Sequence, residues 1–132
     1  MTELTPATVF QFLRRFQFRG GRLRQFRVRN ARRNAATGDL IVSAVEHATG
    51  KKVRLRFTFE GVEEYRFQRR PGAALARLTE VQVGFFGTLV YVNLDPFPVD
   101  GPPKVMDYRA SDCFMAGRLL RWAVVEPRPT TA

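Results

Sequence analysis

The sequence predicts an α+β domain that is mainly β. An N-terminal helix packs on a curved antiparallel meander sheet of about six or seven strands, open or curling toward a partial barrel. Three observations carry this expectation. Helical spacing of apolar residues is confined to the first twenty positions, and two-residue alternation dominates afterwards. Turn residues punctuate the alternating runs at short intervals. With 45% apolar residues and twelve Phe in 132 positions, the chain can bury a real core, which excludes a disordered segment.

Thr5 and Pro6 suit a helix start, as N-cap and first helical residue. Val9, Phe12, Leu13 and Phe16 then define one apolar face, with Arg14 and Arg15 away from its middle. Gly20 and Gly21 are expected to end the helix and free the chain to turn. Residues 22–30 read as a strand, with Phe26 and Val28 opposite Gln25, Arg27 and Arg29; Leu23 breaks the alternation and predicts a bulge or late start. Residues 31–38 form a polar loop, and 39–47 a strand apolar on both faces. After a tight turn at 47–50, Val53, Leu55, Phe57 and Phe59 alternate with Lys52, Arg54, Arg56, Thr58 and Glu60.

Residues 62–68 suggest a shorter, separate strand, and 71–76 a connector. Two strands around Gly87 occupy 78–94, a proline-rich loop follows, and 118–125 supply the last strand. A single α+β domain over 1–126 and a flexible C-terminal tail at 127–132 are expected.

Charge is distributed unevenly. The formal net charge is +10, and residues 1–56 hold thirteen Arg or Lys against Glu3, Asp39 and Glu46. From Phe57 onward nine bases meet nine acids, so the whole excess lies in the first half. RRFQFRGGRLRQFRVRNARR, residues 14–33, holds nine arginines and no acid. An asymmetry of this kind predicts a one-sided basic surface. Guanidiniums suit phosphate and carboxylate through paired N–H donors. The candidate anion or nucleic-acid ligands are Arg14, Arg15, Arg19, Arg22, Arg24, Arg27, Arg29, Arg32, Arg33, Arg54 and Arg56. If the strands at 22–30 and 52–60 come together, Arg27, Arg29, Arg54 and Arg56 share a polar face. The same residues would otherwise serve as the solvated face of a strand that resists edge pairing.

Unpaired bases stack on exposed rings. Among the rings within the arginines, Phe16 and Phe26 fall on core-facing positions, which leaves Phe18 as the stacking candidate. GFFGTLVYV, residues 84–92, has a glycine and alternating aromatics like an RNA-recognition-motif strand. It lacks the opening basic residue and the chain lacks the two interleaved helices, so the match fails.

DYRASDC, residues 107–113, is the densest chemical cluster. Either Arg109 is a partner anchor oriented by Asp107 or Asp112, or the segment is a turn with Ser111 and Asp112 bonded to backbone. Catalytic parts are scarce. Cys113 is the sole cysteine and His47 the sole histidine, and Glu63 and Glu64 point to opposite faces of a strand. No metal site and no cofactor are expected.

The sequence therefore points to a small, basic, non-enzymatic binding module that engages an anionic surface through its Arg-rich half, with nucleic-acid backbone the favoured surface. The alternative is a protein–protein module, immunity- or antitoxin-like or an accessory subunit, docking on an acidic protein. Its anchors would be Phe18, Tyr108 and Arg109. Neither a secretory segment nor a membrane-length apolar run is evident, so a cytoplasmic protein without membrane association is expected.

Overall fold

Alternation becomes a sheet because each strand finds an antiparallel partner for its backbone N–H and C=O groups. The computed structural model describes residues 1–30, 36–68 and 77–125. In chain order the elements are β1 (Thr2–Glu3), α1 (Val9–Arg15), β2 (Phe16–Gln17), β3 (Leu23–Arg29), β4 (Thr37–Glu46), β5 (Lys52–Phe67), β6 (Gln82–Phe86), β7 (Leu89–Asn93), α2 (Val105–Arg109) and β8 (Cys113–Val125). The described residues form one eight-stranded sheet with the path β2-β4-β5-β8-β7-β6. β3 follows β2 along the same edge of β4, and β1 pairs with β8.

Register explains the core. Leu40, Val42 and Ala44 of β4 stand beside Phe57, Leu55 and Val53 of β5, and Phe57 stands beside Trp122 of β8. Paired residues share a face, and Leu40, Val42, Leu55 and Phe57 are fully buried. The ring of Phe12 from α1 lies 5.7 Å from that of Phe57 and 4.8 Å from that of Trp122. Each such side chain contributes roughly 1.5–3 kcal/mol through burial. A second cluster covers the opposite face at the far end of the sheet. There Tyr91, Phe114 and Ala116 pack with Tyr108 of α2.

Several expectations need correction. The helix is short: Thr8 stands at its N-cap position without a side-chain cap bond, and it stops at Arg15 because Phe16 and Gln17 become extended and pair with Glu46 and Val45. Residues 62–67 are not a separate strand. Gly61 takes φ +64°, a bulge follows between Val62 and Glu64, and β5 bends yet stays paired with β8 to Phe67. A strand of 16 residues needs a long partner, so β8 begins at Cys113 rather than 118 and inserts between β5 and β7. That insertion breaks the simple meander. The sheet is not closed, and the described residues supply eight strands. The turn at Gly87 between β6 and β7 is as expected, whereas α2 and β1 carry no signal that period alone reveals. Arg32, Arg33, the connector at 71–76 and the tail at 127–132 lie outside the described residues.

Candidate anion-binding cleft

The charged face is built by register. Arg27 pairs with Asp39 and Arg29 with Thr37, while Arg54 and Arg56 pair with Ser43 and Ile41. β3 and β5 do not touch as partners, since β4 lies between them. All four arginines nevertheless occupy the odd-numbered rows of β4, on the face opposite Leu40 and Val42. Asp39 interrupts this face. It accepts a bond from the Thr58 hydroxyl at 2.9 Å and stands 3.7 Å from the Arg56 Nε.

Where β2 ends and β3 begins, a concavity of about 510 Å³ adjoins this face and shares Arg54 with it. Arg19, Arg22, Arg24, Arg54, Arg77 and Lys52 line it, together with Gly20, Gly21 and Ser43. No carboxylate is among the described residues that line it. None of these six cations forms an ion pair among the described residues. All are exposed apart from Arg54, which is half-buried. Like charges gathered in this way repel one another, and an anion seated among them relieves that repulsion.

Backbone bonds shape the cleft. Gly20 takes φ +84°, a conformation that glycine adopts without a steric cost. The Gly20 N–H donates to the Leu78 carbonyl at 2.9 Å, and the Leu78 N–H donates to the Gly21 carbonyl at 2.8 Å. Arg22 and Ser43 are joined twice: the Arg22 N–H donates to Ser43 Oγ at 2.8 Å, and the Ser43 N–H donates to the Arg22 carbonyl at 2.9 Å. A Cβ on Gly21 would overlap the Ser43 carbonyl oxygen, so only glycine lets these chains approach so closely. The glycine pair is thus not a helix terminator. It is the joint on which the cleft is built.

The remaining candidate residues divide. Arg14 is exposed on α1 with no ion pair among the described residues. Arg15 is already engaged: its guanidinium donates to Glu46 at 3.1 and 3.2 Å and lies over the Phe16 and Trp122 rings. Arg77 and Lys52 had no place among the sequence candidates. Arg77 is brought in by a lone bridge to Arg22, a pairing between residues far apart in the chain.

Phe18 is not a free ring. It is buried at 6% exposure and packs 6.0 Å from Phe12, because the extended chain after α1 turns its side chain inward. Tyr108 is likewise no surface anchor. It is 3% exposed, and burial pushes its phenol up to about 12. Arg109 is oriented by neither Asp107 nor Asp112 but by Glu64, to which it donates at 2.8 and 3.0 Å. The Tyr91 hydroxyl donates to the same carboxylate. The Arg109 bonds hold the Glu64 carboxyl below its ordinary value against the opposing effect of burial. Asp107 instead accepts from the Lys104 N–H at the start of α2. Ser111 bridges backbone, donating to the Cys113 carbonyl and accepting from the Cys113 N–H, as a turn residue would. Cys113 is buried, and burial raises its thiol to about 12, while His47 is exposed at the β4–β5 turn. Glu63 and Glu64 diverge to Arg118 and Arg109.

Comparison with known protein families, with characterised proteins and with solved structures returns no match to this chain. Among the described residues no helix is long and apolar enough to cross a membrane.

Proposed function

We propose that the protein is a non-enzymatic, phosphate-binding module that holds a nucleic-acid backbone in the Arg-rich cleft and along the adjoining face of β3–β5. The observation that carries this reading is the cleft itself: six cations, no carboxylate among the described residues that line it, and a glycine joint that brings the cationic segments together. Guanidiniums and an ammonium in this setting neutralise phosphates and do not read bases, so little sequence selectivity is expected. The alternative reading, docking on an acidic protein, relied on Phe18, Tyr108 and Arg109 as anchors. With two of them buried and the third committed to Glu64, it has lost its hot-spot candidates. A cytoplasmic setting accompanies the nucleic-acid reading.

Heparin retention followed by anisotropy titrations with duplex DNA, single-stranded DNA and RNA at two salt concentrations tests this. With about six phosphates engaged, log affinity for duplex falls with log salt at a slope of roughly −5. Binding that does not respond to salt, or no binding at low salt, overturns the proposal.

A further inference from the structure

The cleft accounts for charge but leaves an aromatic seam unexplained. Phe26 alternates with Arg27 and so faces the inner side of β3. The bend at Gly61 carries the second half of β5 around toward that side. Tyr65 and Phe67 pair with Met115 and Cys113, both core residues, and therefore share the inner face. Their rings meet Phe26, with centroids 6.4 Å and 5.2 Å away.

Most of the inner face is sealed, as Leu40, Phe57 and Phe59 show. Here the seal is missing. Tyr65 is 53% exposed and Phe67 41%, and the Tyr65 hydroxyl has no hydrogen-bond partner among the described residues. Phe10 is also exposed, but on α1 it has no ring neighbour among the described residues. On the β3 side the seam is bordered by arginines alone. Arg24, Arg27 and Arg29 lie on the same strand as Phe26, all exposed and without ion pairs among the described residues. At about 3.3 Å per residue, each is within about 10 Å of Phe26 along the strand.

We propose that this edge of β3 binds single-stranded nucleic acid, with unpaired bases stacked on Tyr65 and Phe67 and the phosphates tracked by Arg24, Arg27 and Arg29 toward the cleft. The inference rests on the anion-binding reading and narrows it to a substrate class. A duplex keeps its base faces inside the helical stack and has nothing to offer the rings. A single strand presents both phosphates and base faces.

The test is an anisotropy titration with three probes of equal length: a mixed-sequence single strand, the same strand made abasic, and a duplex. The intact single strand is expected to bind about tenfold or more tighter than the abasic one. Tyr65→Ala combined with Phe67→Ala should remove that advantage and leave abasic and duplex binding unchanged, whereas Tyr65→Phe, which keeps the ring, should retain it. A thermal melt establishes that the double variant is folded, and the abasic comparison on the unaltered protein needs no variant at all. Equal binding of intact and abasic strands overturns the inference while leaving the anion-binding reading in place. Failure to bind any probe removes both. Concentration-dependent dimerisation that the double variant abolishes assigns the seam to a second copy of the chain and also overturns the inference.

Discussion

Arginine plays opposite parts at the two ends of β5. At the bend and past it, Glu60, Glu63 and Glu64 each receive a guanidinium, from Arg121, Arg118 and Arg109 respectively. Before the bend, Arg54 has no carboxylate partner among the described residues, and the described lining of the cleft it shares with Arg19, Arg22, Arg24 and Arg77 holds none. Around the bend the guanidiniums are neutralised from within, while among the described residues those of the cleft have no acid beside them. The difference teaches that a count of arginines does not define an anionic site. What defines it is where the fold withholds the acids.

The contrast can be broken most severely at the cleft. Replacing Arg22, Arg24 and Arg54 together with Gln is expected to weaken oligonucleotide binding about a hundredfold at low salt and to make the salt slope shallower by about three. The thermal midpoint should hold, because none of these side chains forms an ion pair among the described residues. The matching triple change of Arg109, Arg118 and Arg121 should leave affinity nearly intact. Equal losses from both triples would abolish the distinction.

Gly21→Ala comes next. It forces a Cβ onto the Ser43 carbonyl, so urea denaturation should show a loss of roughly 1–3 kcal/mol together with weaker binding. A smaller effect is expected from Glu64→Gln, on the order of 1 kcal/mol, as charge-assisted bonds to Arg109 become neutral ones. Its pH signature is specific. Because the folded-state pKa of Glu64 lies below its ordinary 4.5, the contribution is complete above that value and is lost as pH falls through the lowered pKa. Stability measured from pH 6 to pH 2 should therefore decline less steeply in the Gln variant. Arg118→Gln is the smallest change. Its pair with Glu63 is largely exposed, and stability should stay within about 0.5 kcal/mol by thermal melt, with binding unaltered.

Much of this was legible in the amino-acid order, and for a local reason. Successive residues of a strand point to opposite faces, so Phe57 and Phe59 had to separate from Arg54 and Arg56 whatever the partner strand. The excess of positive charge before Phe57 was equally a property of the chain alone. Pairing was not, because it joins residues that the sequence holds far apart. Glu64 meets Arg109 across 45 positions, and Arg77 joins the cleft through a bridge to Arg22. Exposure of rings follows the same rule. Phe18 and Tyr65 both stand among charged residues, yet one is sealed by Phe12 and the other lies open beside Phe26. Backbone geometry settled the face of each side chain within two residues, while only the packing of distant segments decided which arginines kept their charge free and which rings reached water.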